Sequence, residues 1–372
     1  MARSRGRAAG ARPDRRLAVS VRVRFAPSPT GSLHLGNALT AVANRRFADE
    51  NGGVLVLRID DTDPTRAIAG GEEAILDDLA WLGVAFDQGP LRQSERGRVY
   101  GDAIEAALAA GSVARDDDAS IRLSRDGTTL VRADGTATYQ LASVVDDLDL
   151  GITHVIRGSD HRSNLEVQQR IARAVGGELP EVIHHGLVLG EDGRKLSKRH
   201  GHSSIAELRE EGLPQEAVRS YLDELGLPEH DVHLDLTRLR RLAVDAIAAM
   251  PDDELALAAD APVAVVPALR GARSLVEARD YARLVLEPEV VALGEDAAPT
   301  LDRFVELRAS EPDRLSHDEG RAVVRELKAV GGDLHALRLA LTGADRGPEL
   351  AAVLAAVPRE EALARADRAR GA

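Results

Sequence analysis

The amino-acid sequence predicts an α/β doubly wound parallel sheet followed by an all-α C-terminal domain, and three stretches carry that expectation. Residues 21 to 60 read as strand, turn, helix and strand. The same alternation resumes at 150, and beyond 203 the chain turns helical, with prolines at 214, 228, 251, 262, 267 and 288 as punctuation. Strands alternating with helices bury a sheet on both faces, whereas a long helical tail needs a core of its own.

Along the chain, Val21, Val23 and Phe25 alternate into a Pro- and Gly-tightened turn, as a strand would. Leu39, Val42, Ala43 and Phe47 then recur at helical spacing, and Val54-Leu55-Val56-Leu57 is a continuous apolar run of the kind a doubly buried parallel strand shows. Helical patterns follow at 71 to 82, where Ile75, Leu79 and Leu82 share a face, and at 93 to 110. Between 111 and 135 only two short strand-like pieces stand out, Ile121-Arg122-Leu123 and Thr129-Leu130-Val131, joined by the turn signal Arg125-Asp126-Gly127. A strand at 152 to 156, a helix at 160 to 175 and a strand at 182 to 189 complete the sheet pattern. No internal repeat is present.

Composition bounds the function. A chain of 372 residues, 44% hydrophobic and 29% charged, has apolar material for more than one globular domain. No apolar run approaches the roughly 20 residues of a membrane-spanning helix, so no membrane partner is expected. The formal net charge of −13 confines any nucleic-acid contact to local basic patches. Zero cysteines exclude disulfides, thiol catalysis and cysteine zinc sites. His184-His185 lacks metal-ligand spacing and reads as packed strand residues. With 2% aromatic residues, the chain has few platforms on which bases could stack.

Two segments far apart carry the chemistry. The first is Arg24-Phe25-Ala26-Pro27-Ser28-Pro29-Thr30-Gly31-Ser32-Leu33-His34-Leu35-Gly36-Asn37. A helix begun by Gly36 would aim bare N-terminal amides and its dipole at a nucleotide's phosphates, with His34 as a donor beside them. The second is Gly193-Arg194-Lys195-Leu196-Ser197-Lys198-Arg199-His200-Gly201, a cationic loop with glycines for hinges.

Together these segments resemble the HIGH and KMSKS signatures of class I aminoacyl-tRNA synthetases, and their flanks resemble the glutamyl-tRNA synthetase family of the glutamyl/glutaminyl branch. The resemblance runs from 21 through 158, again from 195 to 226, and more loosely to the end. It implies that His34, Gly36, Asn37, Lys195 and Lys198 are catalytic, with Asn37 in place of the family's second histidine. Those residues, with Leu196, Ser197 and Asp160, would bind ATP. By the same resemblance Arg24, Ser28, Asp60, Tyr139, Ser143 and Arg157 would hold the amino acid. Arg24 and Arg157 would flank the side-chain carboxylate, and two cations around one anion favour glutamate over the neutral glutamine. Asp60 would receive the α-ammonium; bacterial relatives commonly carry glutamate there. Ser143 stands where many members have asparagine.

The implied domains are a basic disordered arm at 1–20, a nucleotide-binding catalytic domain at 21–190 with a minimal insertion at 111–135, the Lys-Leu-Ser-Lys-Arg loop and stem-contact helices at 191–245, and a helical anticodon-binding-like domain at 246–372. The family normally inserts a much larger domain, which grips the tRNA acceptor end, where this chain has 111–135. Activation is therefore expected to be retained and the hold on tRNA to be weakened. The resemblance implies an ATP- and Mg²⁺-dependent ligase that activates L-glutamate as its adenylate and transfers it to the 3′ end of tRNA. It further implies no zinc site, a cytoplasmic location and a monomer. Other readings are a paralogue that glutamylates a modified nucleoside, an amine or a carrier protein, and a non-catalytic regulatory paralogue. Intact His34, Gly36, Lys195 and Lys198 argue against the last.

Overall fold

The structure, a computed structural model, describes residues 20–190, 192–196 and 204–371. The chain groups into two compact units, one of Met1–Thr30, Thr40–Glu72 and Val84–His185, the other of Gly31–Leu39, Glu73–Gly83 and Gly186–Ala372. The arm expected at 1–20 lies, but for Ser20, outside the described residues.

The first part of the chain runs β1 (Arg22–Phe25), α1 (Leu35–Glu50), β2 (Val54–Ile59), α2 (Gly71–Trp81), β3 (Gln88–Arg92) and α3 (Gly97–Ala109). Then come β4 (Val113–Arg115), β5 (Ile121–Leu123), β6 (Thr129–Val131), α4 (Tyr139–Asp149), β7 (His154–Gly158), α5 (Leu165–Ala174) and β8 (Glu181–His185). β1 pairs with β2, β2 with β3 and β7 with β8, all parallel. The Thr153 N–H donates to the Arg22 carbonyl at 2.9 Å and draws β7 alongside β1. The strand order is therefore β3-β2-β1-β7-β8, and the chain departs from β1 in one direction and returns at β7 on the other side. Open α/β sheets form their ligand crevice at the carboxyl ends of such a pair.

Local chemistry explains the elements. Leu55, Val56 and Leu57 of β2 are all buried, as the continuous apolar run requires. Asn44 of α1 is fully buried and donates through Nδ2 to the Ile156 carbonyl of β7 at 3.2 Å, a polar staple between helix and sheet. β3 has no counterpart in the expected strands, because Gly89-Pro90 interrupts its pattern. An edge strand tolerates proline, and β3 is at the edge. The single strand expected at 182 to 189 is broken at Gly186, where a Cβ would stand 2.0 Å from the His230 carbonyl oxygen. The helix expected from 160 opens as a 3₁₀ turn over Ser159–Asn164 before α5 begins.

The stretch at 111–135 holds three antiparallel strands, β4-β5-β6, where the pattern suggested two. β4 was hidden by its exposed Ala114 and Arg115. Val113, Ile121, Leu123 and Leu130 share one core with Tyr100 and Ile104 of α3, Leu141 and Val144 of α4, and Ile171 of α5. This small sheet is thus a shelf on the first unit's core.

The second unit contains β9 (Val188–Leu189), α6 (Ile205–Glu210), α7 (Gln215–Leu225), β10 (Val232–His233) and α8 (Leu236–Ala249). The helices α9 (Asp252–Ala258), α10 (Val266–Leu269), α11 (Leu275–Leu286), α12 (Ala298–Ala309), α13 (His317–Ala329), α14 (Leu334–Thr342), α15 (Leu350–Ala356) and α16 (Arg359–Gly371) follow. They enclose a core rich in Ala, Leu and Val, with Phe304 fully buried. Arginines close several helix ends in this region. Arg365 donates to Leu341 O at the end of α14 and Val285 O at the end of α11, both at 2.8 Å, and Arg270 reaches the Ile247 and Ala248 carbonyls of α8 at 3.2 and 3.0 Å. Arg308, fully buried, donates to Pro312 O at 2.6 Å and Asp313 O at 2.7 Å just beyond α12. Each guanidinium satisfies carbonyls left open by a helix C-terminus or the loop after it and sits at the negative end of a dipole.

Candidate active site

Strand alternation decides which side chains gather at the carboxyl ends of β1 and β2. Arg24 registers with Val56, Arg58 lies two residues beyond Val56, and Asp60 two beyond that, so all three share one face. α4 contributes Tyr139, Ser143 and Asp147, spaced by four and therefore on one helical stripe. Asp147 Oδ1 accepts from Arg24 Nε at 3.2 Å and from Arg58 Nη1 at 2.8 Å. Arg58 in turn grips Asp60 with two bonds, Nε to Oδ1 at 2.6 Å and Nη2 to Oδ2 at 3.2 Å. Burial works against the Arg58 cation, but Asp60, Asp147 and Asp146 outweigh it and hold its pKa well above the ordinary arginine value. Burial likewise raises the Asp60 carboxyl, with Arg58 opposing. Asp146 Oδ2 lies 3.6 Å from Arg58 Nε, but the hydrogen bonds of this carboxylate come from Arg96 Nε and Gln93 Nε2, each at 2.7 Å, and from the Tyr100 hydroxyl at 3.1 Å.

The remaining pocket residues frame this network. Burial, and then the Asp60 charge, raise the Tyr139 hydroxyl, with the Arg24 cation opposing. Ser28 is half-buried in a turn fixed at both flanks: Asp60 N–H donates to Pro27 O at 2.9 Å and Ile68 N–H to Pro29 O at 3.1 Å. Asp160 is exposed on the 3₁₀ turn after β7, with His161 Nε2 3.9 Å from its carboxylate and the His161 ring 6.5 Å from the Tyr139 ring.

Arg157 differs from the other buried arginines. It is 7% exposed, its Nε donates to His184 Nε2 at 3.3 Å across the β7–β8 register, and its Nη2 has no hydrogen-bond partner among the described residues. Burial, and then the Arg24 cation, lower its pKa. A buried guanidinium with no hydrogen-bonded carboxylate is costly to hold.

To accept from Arg157, His184 must be neutral at Nε2, and burial followed by the Arg157 charge lowers its pKa from 6.5 accordingly. A group whose folded pKa is depressed stabilises the fold above its unfolded pKa, and that contribution is lost as pH falls through the folded value. The midpoint of urea unfolding is expected to drop as pH is lowered below 6.5. His184→Gln, which keeps an acceptor without a titrating ring, should flatten that part of the profile.

In the second unit, His34 immediately precedes α1 and caps it: Nδ1 accepts from the Asn37 N–H at 3.2 Å, and the His34 carbonyl accepts from Ala38 N–H at 3.0 Å. The helix thus starts at Leu35, one residue before the Gly36 start expected from sequence, because the imidazole replaces a Ser or Asp cap. With Nδ1 fixed as acceptor, the neutral ring carries its proton on Nε2. A Cβ on Gly36 would meet His34 Nδ1 at 3.1 Å and Cε1 at 3.2 Å, so the ring rests on the bare glycine. Asp78 of α2, buried, fixes the preceding turn by accepting from Ser32 Oγ and Leu33 N–H, both at 2.7 Å. Asp78→Ala is expected to destabilise the protein by about 3 kcal/mol, from two lost bonds to a charged acceptor, as read by urea unfolding.

The cationic loop is moored beside this helix start. Gly190 N–H donates to Arg194 O at 2.8 Å, Gly193 adopts φ +72°, and the chain doubles back so that Lys195 bridges to Leu189 and Leu196 is buried. Leu196 N–H donates to Val188 O at 3.4 Å, and Val188 Cβ is the neighbour that a Gly36 side chain would meet at 4.0 Å. On the far side of the loop, Ser204 forms a bridge with His34, Ile205 N–H donates to Leu33 O at 2.8 Å and Ala206 N–H to Ser32 Oγ at 3.1 Å. Lys195 is exposed; Ser197 and Lys198 lie outside the described residues.

The described parts of the two signatures, His34 to Asn37 and Gly193 to Leu196, thereby lie in one unit, and a family profile covers both segments. The profile described as tRNA synthetases class I (E and Q), catalytic domain, matches residues 20–127 and 118–240. The chain belongs to this family of class I tRNA synthetases. The two matched pieces meet at the small β4-β5-β6 sheet, the place where the family's larger insertion is expected. Among curated relatives of this class I synthetase, glutamate–tRNA ligase 1 of Rubrobacter xylanophilus is 37% identical over 428 positions, covering 96% of this chain and 99% of the relative. Glutamate–tRNA ligase 1 of Rhodospirillum rubrum is 35% identical, covering 93% and 98%. An alignment of 428 positions against 372 residues means that the first relative carries segments this chain lacks. Among solved structures, a glutamate tRNA ligase from Elizabethkingia meningosepticum, in complex with its amino acid, matches with a TM-score of 0.76 at 22% identity over 94% of this chain and 99% of that one, which supports the fold.

Proposed function

We propose that this chain activates L-glutamate with ATP as glutamyl-adenylate and transfers it to the 3′ end of tRNA. The observation that supports the reading is the mooring of both ends of the Lys195 loop beside His34 and Gly36. His34 Nε2–H donates to a phosphate oxygen, the amides after Gly36 and the Asn37 side chain add donors, and Lys195 and Lys198 meet charge growing on the leaving pyrophosphate. Leu196, Ser197 and Asp160 complete the proposed ATP-binding set. Mg²⁺ travels with the nucleotide's phosphates rather than in a protein cage.

In the first unit, Arg157 and Arg24 take the side-chain carboxylate, Asp60 the α-ammonium, and Ser28, Tyr139 and Ser143 wall the pocket. Glutamine is rejected because its neutral amide leaves the Arg157 charge uncompensated. The aspartate at 60 is one methylene shorter than glutamate and is drawn onto Arg58, so the ammonium approaches an acceptor that is already partly neutralised. The segment 191–245 supports the acceptor stem, 246–372 serves as an anticodon-binding-like domain, and the reduced insertion leaves the acceptor end with a smaller grip.

Glutamate-dependent ATP–pyrophosphate exchange, run with and without tRNA, tests the reading, and acid-precipitable glutamyl-tRNA tests its second half. Exchange together with charged tRNA is the expected result. No exchange in either condition overturns the proposal, and exchange without charged tRNA moves the product to another acceptor.

A further inference from the structure

We infer that Asp147 is a positioning residue that couples the two ends of the amino-acid pocket; the inference rests on the glutamate reading above. One oxygen, Asp147 Oδ1, accepts from Arg24 Nε and Arg58 Nη1, and Arg58 carries the link on to Asp60. The groups alternate in charge along the chain Arg24, Asp147, Arg58, Asp60. Both arginines and both aspartates are at least nine-tenths buried. Asp147 holds Arg24 by its Nε edge, so the Nη edge of that guanidinium stays directed away from the aspartate and open to a carboxylate. Through Arg58, the same carboxylate sets where Asp60 stands to meet the ammonium. A substrate bearing both groups therefore finds both of its anchors set by one carboxylate, which also keeps Arg24 and Arg157 from being two uncompensated cations side by side.

Asp146 provides the control. It is as deeply buried and as heavily bonded, but its hydrogen bonds come from Arg96, Gln93 and Tyr100; it meets Arg58 only as an ion pair at 3.6 Å and has no bond to Arg24. Glutamate-dependent pyrophosphate exchange is measured in the presence of tRNA for wild type, Asp147→Asn, Asp147→Glu and Asp146→Asn, with unfolding midpoints for each. Asp147→Asn is expected to raise KM for glutamate by about 30-fold and leave KM for ATP within about twofold, as weakening one charge-assisted pair to Arg24 would. Discrimination against glutamine should weaken in parallel. Asp147→Glu retains the charge, so the fold is kept, and its displaced carboxylate should raise the glutamate KM alone by about tenfold. Asp146→Asn should lower the unfolding midpoint and leave the glutamate KM as in wild type. A wild-type glutamate KM in either folded Asp147 variant overturns the inference, as does an equal rise in Asp146→Asn. Absence of exchange by the wild-type protein removes the glutamate reading and this inference with it, whereas exchange with unmoved constants in the variants removes the inference alone.

Discussion

Arg157→Ala is expected to raise the KM for glutamate by about 100-fold while KM for ATP stays within about twofold, because truncating one side of a buried, hydrogen-bonded charge pair costs about 3 kcal/mol. The same substitution should not weaken the empty protein. Arg157 is buried with one nitrogen unpartnered, near a second cation, and its removal relieves a desolvation penalty that Asp147 and Asp160 offset only in part. Steady-state exchange and urea unfolding on one preparation thus read opposite signs: affinity falls as the unfolding midpoint holds or rises. Equal changes in the glutamate and ATP constants would remove Arg157 from the amino-acid pocket. A fall in the midpoint would show that its charge is already compensated.

Gly36→Ala should lower kcat for exchange by about 100-fold with little effect on glutamate KM, the size expected when one preorganised donor is lost from a developing charge. Two physical causes could produce that loss. A methyl group could obstruct the nucleotide, or it could push the His34 ring, which lies 3.1 to 3.2 Å from the added carbon, off its cap on Asn37. The geometry favours the second. A double-mutant cycle decides between them: if Gly36 acts through the ring, His34→Ala combined with Gly36→Ala should be no slower than His34→Ala alone. Additive losses would return the role of Gly36 to direct nucleotide approach.

Much of this arrangement was legible in the sequence because its markers are local. The β2 strand announced itself through four consecutive apolar residues, and the motif residues from Arg24 to Asn37 could be read off one segment. What stayed hidden were partners fixed by the third dimension. Asp147 lies four residues past Ser143, as Ser143 lies four past Tyr139, and extending that helical stripe by one turn would have found it. Arg58 was visible as a charge at the end of an apolar strand, a position that demands a buried counterion. Asp78 and His184 offered no such clue, since one sits among other acids on an amphipathic helix and the other in a short strand. β3 escaped because Gly89-Pro90 reads as a break, and only its edge position makes it tolerable. The helix start shifted by one residue since an imidazole is an uncommon cap.

Closing helix ends with guanidinium groups has an effect on how this protein can meet a polyanion. Arg270, Arg308 and Arg365 turn their donors inward to carbonyls, and Arg238 is paired with Glu224 at 2.9 Å, so the tally of 48 lysines and arginines overstates the cationic surface. Arg240 and Arg241 on α8 remain exposed. Other exposed arginines of the helical region are already paired with carboxylates, as Arg273 is with Glu277 and Arg321 with Glu349, so fewer phosphates are neutralised than the exposed cations suggest, and the affinity of the helical region for RNA should fall only gently as salt is raised.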